Sequence, residues 1–177
     1  MELVAGVGVA PNVALAEAAG LTVENGIVVD GSFRTSEPAV YAAGDCCSFP
    51  YRGNPVRLES WRSAQDQENH VASAMLGGEE AYCRVPWFWS DQYDLTLQAA
   101  GLPDVTRPFI RRDLGDGAFV LFQLGDDGTL LSASGIGTGN AVAKDIRLAE
   151  MMIERGLAPD PAQLGDPNVN LKALLKG

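Results

Sequence analysis

The residue pair best suited to hold a polar ligand is Gly44-Asp45. It follows Ala39–Ala43, a short and wholly apolar run with Pro38 in front of it, which is typical of a strand buried on both faces of a parallel sheet. Ligands of open α/β sheets lie at the carboxyl ends of the strands. Gly44 lets a ligand approach the backbone closely, and the Asp45 carboxylate accepts hydrogen bonds from ligand hydroxyl groups. An ordinary core strand followed by an acidic turn is the alternative.

The longer stretch from Thr35 to Asp45 reads Thr-Ser-Glu-Pro-Ala-Val-Tyr-Ala-Ala-Gly-Asp. It resembles the second flavin motif of the two-dinucleotide-domain flavoproteins, in which a threonine precedes an apolar strand ending in Tyr-Ala-Ala-Gly-Asp. In that family the last aspartate holds the ribityl chain of FAD. The resemblance therefore implies that Gly44 and Asp45 belong to an FAD site.

The upstream segment carries a Gly-x-Gly pair, Gly6 and Gly8, as dinucleotide-binding loops do. The third glycine of that fingerprint would fall at Pro11, so we do not interpret the pair as a pyrophosphate loop. It resembles instead the Gly-x-Gly-x-x-Pro-Asn crossover of the same flavoproteins, where the chain passes from the NAD(P)H domain back to the FAD domain. A helix with Asn12 as its cap is then predicted over Asn12–Gly20, and Asn25-Gly26 predicts a hairpin.

A second helix is predicted from Arg62 to about Leu76, with Ser60 as its cap. The preceding Glu-Ser-Trp, followed by Ala64 and Gln67, resembles the ferredoxin-reductase branch of the family, in which this helix aims its amino terminus at the pyrimidine edge of the isoalloxazine ring. N–H groups and the helix dipole stabilise the negative charge of a reduced flavin there. The resemblance implies that Glu59, Ser60 and Trp61 line the site, with Glu59 where the nicotinamide amide docks. A capped surface helix with an exposed tryptophan is the alternative.

The densest aromatic cluster of the chain lies between Val85 and Asp94. Such clusters are usually core or interface. Its sequence Phe-Trp-Ser-Asp-Gln-Tyr is nearly a signature of the carboxyl-terminal domain of bacterial ferredoxin reductases that serve oxygenases, and apoptosis-inducing factor shares the Phe-Trp-Ser-Asp part. In those proteins the tryptophan that matches Trp89 lies against the flavin. The resemblance implies that Trp89 covers the ring, whereas Trp87 is a packing residue.

The remaining sequence predicts an antiparallel sheet with turns at 115–117 and 126–128. The predicted strands are Asp94–Ala99, Thr106–Arg112, Ala118–Leu124 and Thr129–Ser134. The glycine-rich stretch 135–140 then opens a helix and imitates a nucleotide loop. Its third glycine position holds Asn140, and no later strand carries the acidic residue that a ribose needs. Asn140 is therefore predicted as a plain cap of a helix that runs to Arg155.

The predicted fold class is α/β plus α+β: the carboxyl-terminal half of a Rossmann-like FAD domain, followed by an antiparallel-sheet reductase domain. Residues 1–11 are assigned to the end of an NAD(P)H-binding domain and its crossover, and residues 12–83 to the FAD domain. Residues 84–177 are assigned to a carboxyl-terminal domain of the dimerisation or interface type, which makes a homodimer an expected assembly. Within the FAD domain, the prolines, glycine and asparagine of Phe49–Val56 predict a loop.

Composition excludes several classes of function. The 177 residues include 13 Lys or Arg against 23 Asp or Glu, and a chain with a formal charge of −10 and no basic run is a poor nucleic-acid binder. No apolar run approaches the roughly 20 residues of a membrane span, and the start lacks the basic opening of a signal peptide. The cysteines Cys46, Cys47 and Cys83 make no Cys-x-x-Cys pair, so we predict reduced thiols, no zinc site and a cytoplasmic protein.

The resemblance implies that the parent protein moves a hydride from NAD(P)H to FAD and passes single electrons to a [2Fe–2S] ferredoxin. The flavin does the chemistry, so no catalytic side chain is predicted. Neither intact Gly-x-Gly-x-x-Gly fingerprint of the complete enzymes occurs, so the chain is expected to be a fragment that is inactive alone. Two alternatives stay open: another FAD-linked oxidoreductase of the NADH-oxidase or nitrite-reductase type, and a non-catalytic interaction domain. The sequence does not choose between NADH and NADPH.

Overall fold

The computed structural model describes residues 3–6 and 8–176, which form two units that divide between Cys83 and Arg84. We call them the amino-terminal unit and the carboxyl-terminal unit. Val7, which belongs to the predicted crossover, lies outside the described residues. No helix in these ranges combines the length and the apolarity that crossing a membrane requires.

The amino-terminal unit combines a small mixed sheet with two helices. Its elements are α1 (Ala14–Ala18), β1 (Val23–Glu24), β2 (Gly26–Val28), β3 (Cys47–Tyr51), β4 (Asn54–Val56) and α2 (Trp61–Met75). The strands lie in the order β1-β2-β3-β4, with β2 and β3 parallel and the other pairs antiparallel. The hairpin predicted at Asn25-Gly26 joins β1 to β2. Helix α1 begins at Ala14, with Val13 rather than Asn12 in the cap position.

The apolar run Ala39–Ala43 is not the buried strand that its composition predicts. One residue of the run forms a single bridge, with Arg34, and the start of the run is exposed. The Thr35 hydroxyl and N–H both donate to the Val40 carbonyl, at 3.0 and 2.9 Å, which folds this part into a turn. An apolar run becomes a doubly buried strand only where strands flank it on both sides, and Arg34 is its one bridge partner among the described residues. Gly44-Asp45 consequently precedes β3 instead of ending a strand.

Strands β3 and β4 form a hairpin in Phe49–Val56, where a loop was predicted. The turn residues Arg52 and Gly53 have φ angles of 50° and 82°, as a type I′ turn requires. Pro50 lies opposite Pro55. In a hairpin with a two-residue turn, this second pair of residues exchanges no ladder hydrogen bonds, so the two missing N–H groups cost nothing.

The carboxyl-terminal unit is a five-stranded antiparallel sheet with three helical segments. Its elements are β5 (Trp87–Gln92), β6 (Leu95–Gly101), β7 (Ile110–Gly115), β8 (Ala118–Leu124), β9 (Leu130–Thr138), α3 (Ala143–Glu154), α4 (Pro161–Gly165) and a 3₁₀ helix (Leu171–Lys176). The strand order is β5-β6-β9-β8-β7. Strand β8 matches its prediction residue for residue, whereas β5, the aromatic segment, is an edge strand that was not predicted.

Helix α3 covers the sheet with a fully apolar stripe, Val142, Ile146, Ala149 and Ile153, of which no side chain exceeds 1% exposure. The glycine-rich stretch before it serves this contact. A Cβ on Gly135 would lie 2.9 Å from the Val142 Cβ, and one on Gly137 would lie 2.8 Å from the Ala118 Cβ. Val142, not Asn140, occupies the cap position of α3. Gly135 is therefore explained by packing of the sheet against the start of α3, and Gly137 by its close contact with β8.

A buried arginine, Arg112 of β7, holds the segment between α4 and the 3₁₀ helix. Its Nε donates to Asp145 of α3 at 3.0 Å, and only 5% of its side chain is exposed. Its Nη atoms donate to main-chain carbonyls at Leu164, Asp166, Pro167 and Val169. The last part of the chain is therefore tied to the sheet by one guanidinium.

Candidate functional site

Five of the six predicted site residues lie in the amino-terminal unit, and the turn Gly44-Asp45 is the most open of them. Gly44 has φ of 84°, a conformation that favours glycine, and a Cβ there would meet only the Ala64 Cβ, at 3.9 Å. Asp45 is exposed, and its carboxylate accepts no hydrogen bond from the residues that the structure describes. The turn therefore presents a free carboxylate beside open backbone, as the binding of a ligand hydroxyl requires.

The start of α2 carries the next three predicted residues. The Ser60 backbone is extended and its Oγ accepts the Ser63 N–H at 3.2 Å, so Ser60 is the helix cap as predicted. Trp61 begins the helix with 69% of its side chain exposed. The Glu59 carboxylate forms a 2.6 Å ion pair with Arg57. The helix thus presents its positive end together with an aromatic ring and an oriented carboxylate.

Two residues to which we assigned no role connect these parts of the unit. Gln67 of α2 accepts the Gly44 N–H at 2.7 Å. Arg57 donates to the Asp45 carbonyl at 3.0 Å and to the Asn25 side chain at 3.2 Å, besides its ion pair with Glu59. Their partners are distant in sequence, which local patterns do not reveal. A polar glutamine inside an otherwise amphipathic helix was the available signal for Gln67.

The three cysteines of the amino-terminal unit form no disulfide bond. Cys46, Cys47 and Cys83 are free thiols. Burial, with the nearby Cys46 and Asp45 as smaller causes, raises the pKa of Cys47 to about 12. Its Sγ lies 3.3 Å from both Gln67 Oε1 and the Gly44 carbonyl oxygen, so the protonated thiol donates its one hydrogen to one of these two acceptors. A thiol that stays protonated is a poor nucleophile, which makes Cys47 a structural residue.

Trp89, the sixth predicted residue, lies on β5 in the carboxyl-terminal unit. Its ring is 39% exposed and contacts the Trp87 ring, with centroids 5.3 Å apart and planes 30° from parallel. Trp87 packs against the core of this unit, as predicted. The pair leaves Trp89 with an accessible aromatic surface supported by a fixed neighbour.

The donors and acceptors of the amino-terminal unit fit a flavin dinucleotide. The free Asp45 carboxylate suits hydroxyl groups, and the space beside Gly44 admits a close approach. The capped start of the 15-residue helix α2 suits a ring system that becomes anionic on reduction.

Comparison with known families gives two matches that leave few residues unmatched. Residues 2–67 match the pyridine nucleotide-disulphide oxidoreductase family, and residues 87–175 match the reductase C-terminal family. The predicted fold class, a partial FAD-type α/β unit followed by an antiparallel-sheet reductase domain, is confirmed by these matches and by the two sheets.

Individual relatives agree with this assignment. The chain is 44% identical over 176 residues to the ferredoxin–NAD(+) reductase component of the anthranilate 1,2-dioxygenase system of Burkholderia cepacia, covering 98% of this chain and 42% of that protein. It is 35% identical to putidaredoxin reductase of Pseudomonas putida, covering 98% and 40%. The reductase in the crystal structure of the covalent putidaredoxin reductase–putidaredoxin complex superposes with a TM-score of 0.87 at 33% identity, covering 97% and 40%.

The chain thus spans about two fifths of the length of these relatives. Its carboxyl-terminal unit is matched along nearly its whole length, from the aromatic strand to the 3₁₀ helix. The chain belongs to the reductase C-terminal family, and its amino-terminal unit carries part of a pyridine nucleotide-disulphide oxidoreductase fold, as the sequence motifs predicted.

Proposed function

We propose that this chain works as part of a flavoprotein reductase that moves electrons from NAD(P)H through FAD to a [2Fe–2S] ferredoxin. The observation that carries the proposal is the pairing, in one unit, of the open Asp45 carboxylate with the Ser60-capped start of α2. The relatives named as ferredoxin reductases support it. The segments 1–11, 12–83 and 84–177 would serve as crossover, FAD-binding and interface parts of a cytoplasmic protein, with a homodimer as one assembly.

Bound FAD supplies hydride acceptance and single-electron transfer, and the side chains of this chain bind and orient it. Asp45, with Gly44 beside it, accepts a hydrogen bond from a ribityl hydroxyl. Ser60 and Trp61 present the amino terminus of α2 to the ring, where the helix dipole favours added negative charge. Glu59, oriented by Arg57, receives the nicotinamide amide. Trp89 covers the ring and limits the access of water.

The test is a hybrid protein in which this chain replaces the matching region of the Burkholderia cepacia reductase component. We expect the hybrid to retain FAD and to reduce a [2Fe–2S] ferredoxin with NADH or NADPH as the electron donor. A folded hybrid without flavin would contradict the proposal. A hybrid that reduces oxygen but no ferredoxin would favour the NADH-oxidase type instead.

The Asp45 carboxylate gives a sharper test in the same hybrid. A hydrogen bond to a charged group contributes about 1.5–3 kcal/mol, so Asp45→Ala should weaken FAD binding by roughly 10- to 150-fold. Glu68→Ala, which removes an exposed carboxylate from α2, is the matched control and should leave FAD binding unchanged. Equal FAD affinity of the two variants would make Asp45 a mere turn residue.

The chain alone should bind no FAD tightly, because no Gly-x-Gly-x-x-Gly pyrophosphate loop occurs in its sequence. The purified chain should be colourless and should show no NADH-dependent reduction of ferricyanide. A yellow preparation with stoichiometric flavin would contradict this expectation.

A further inference from the structure

We propose that Gln67 is a positioning residue for flavin binding, one that holds the Asp45 carboxylate at a fixed place relative to the start of α2. The proposal rests on the proposed function and adds to it a residue that does not itself touch the ligand. Its basis is a continuous chain of hydrogen bonds inside the amino-terminal unit.

The Gln67 side chain is fully buried and uses both ends of its amide. Its Oε1 accepts the Gly44 N–H at 2.7 Å. The Cys47 thiol lies 3.3 Å from the same Oε1 and 3.3 Å from the Gly44 carbonyl oxygen, and it donates its one hydrogen to either acceptor. The Gln67 Nε2 donates to Ser63 Oγ at 2.9 Å. Burial keeps the thiol protonated by raising its pKa, so Cys47 places no negative charge beside Oε1.

Ser63 continues the chain to the helix cap. Its side chain is buried and receives Gln67, while its N–H donates to Ser60 Oγ at 3.2 Å. Thus the turn that carries Asp45 is linked through Gln67 and Ser63 to Ser60, the residue that begins the proposed contact with the ring. The two parts of the proposed site cannot move apart without breaking a buried hydrogen bond, which leaves an unsatisfied polar group.

Arg57 provides a second tie between the same two parts, from outside the helix. It holds the Asp45 carbonyl and the Glu59 carboxylate together. Gly44 itself adds little stiffness, because glycine has more backbone freedom than any other residue type. Gln67 fixes this glycine through its N–H, and Arg57 fixes the next residue through its carbonyl.

The experiment is a double-mutant cycle on FAD affinity in the hybrid protein, with Gln67→Met and Asp45→Ala. Methionine has nearly the same length as glutamine but cannot accept the Gly44 N–H. Gln67→Met should weaken FAD binding about tenfold or more while Asp45 is present, as expected for the loss of a buried hydrogen bond. With Asp45→Ala in place, the same substitution should weaken it less than about twofold, because no carboxylate remains to be positioned.

A purely structural role would give the same fold-change in both backgrounds, and that result would overturn the proposal. Gln65→Met, on the exposed face of the same helix, is the matched control and should leave FAD affinity unchanged both with Asp45 and with Asp45→Ala. Hydrogen exchange adds a readout without flavin, since the Gly44 amide should exchange faster in Gln67→Met than in Gln65→Met.

If Gln67→Met fails to fold, Ser63→Ala is the second variant. It removes the hydrogen bond between Gln67 and Ser63 and leaves the one between Gln67 and Gly44 intact. A smaller loss of affinity that again depends on Asp45 would support the proposal, and a loss independent of Asp45 would overturn it. A wild-type hybrid that binds no FAD would refute the proposed function. A hybrid that binds FAD and weakens with Asp45→Ala, yet shows no coupling to position 67, would refute only the positioning role.

Discussion

The two units of this chain differ in the interactions that stabilise each of them internally. In the described part of the carboxyl-terminal unit, fourteen buried apolar residues form one cluster under α3. The corresponding cluster of the amino-terminal unit has four, Val29, Phe33, Cys47 and Phe49, with the half-buried Tyr82 ring 5.1 Å from that of Phe33. The amino-terminal unit instead relies on long-range polar ties from Gln67 and Arg57. A ligand site needs exposed carboxylates and open backbone, which hydrogen bonds can position where a large apolar core cannot.

Hydrogen exchange should give the largest contrast between the units. Amides of β8 should exchange at least about a thousandfold more slowly than those of Ala39–Ala43, since opening a core strand approaches global unfolding at about 5–15 kcal/mol, whereas an exposed turn opens almost freely. Mass spectrometry of the intact chain after exchange and peptic digestion measures both segments. Equal protection would mean that the small sheet pairs with another strand, such as one from a second copy.

Replacing the buried arginine, Arg112, should have the next largest effect, on the stability of the carboxyl-terminal unit. Arg112→Met would leave the largely buried Asp145 carboxylate unpaired and should lower the free energy of unfolding by about 3–5 kcal/mol. The neighbouring Arg111 pairs with Asp113 at the surface, so Arg111→Met should cost about 1 kcal/mol or less. Urea unfolding, followed by fluorescence, compares the two variants. Similar losses would contradict the role given to the buried ion pair.

Gly8 and Gly137, each the second glycine of a Gly-x-Gly sequence, offer a matched pair of substitutions, one in each unit. In Gly137→Ala the new methyl group would lie 2.8 Å from the Ala118 Cβ and 3.0 Å from that of Ala141, so we expect a loss of about 1–3 kcal/mol by overpacking. Apart from the chain neighbours of Gly8, none of the described residues has an atom within 4 Å of a Cβ built there, so Gly8→Ala should change stability by less than about 0.5 kcal/mol. Thermal unfolding measures both. A larger loss of stability in Gly8→Ala than in Gly137→Ala would show that the residues around Gly137 move to accommodate the methyl group.

The Cys47 thiol should give the amino-terminal unit a small dependence on alkaline pH. Its pKa is about 12 in the fold, against an ordinary value of 9.0 for a cysteine thiol, so the unfolded chain ionises at lower pH. The contribution of the protonated thiol to the free energy of unfolding is fully present below pH 9. It is lost as the pH rises from 9 towards 12, by about 1 kcal/mol per pH unit. The difference in urea midpoint between wild type and Cys47→Ala, at pH 8, 9 and 10, isolates this thiol. A difference in urea midpoint that stays the same from pH 8 to pH 10 would contradict the raised pKa of Cys47.

Local signals predicted the elements whose partners are near in sequence. Asn25-Gly26 predicted the first hairpin, and the spacing of Val142, Ile146 and Ala149 predicted the buried stripe of α3. The boundaries of β8 were predicted without error because its flanking turns are strong signals.

The errors came where tertiary partners decide the structure. The run Ala39–Ala43 is apolar enough for a buried strand, but apolarity does not reveal whether neighbouring strands are present. Pro50 and Pro55 suggested a loop because the sequence does not show that they face each other in a register that needs no N–H. The hydrogen bonds of Gln67 and Arg57 were not predicted because they reach 23 and 12 residues along the chain.

The convergence of main-chain carbonyls on Arg112 has a consequence for proteolytic turnover. A cut between Gly165 and Val169 would release the carbonyls of Asp166, Pro167 and Val169 from the guanidinium, leaving buried donors without acceptors. The loss would weaken the whole carboxyl-terminal unit, since Arg112 lies on β7 and pairs with Asp145 on α3. A single nick near this end should therefore make an otherwise well-packed sheet easier to unfold, and so easier to cleave further.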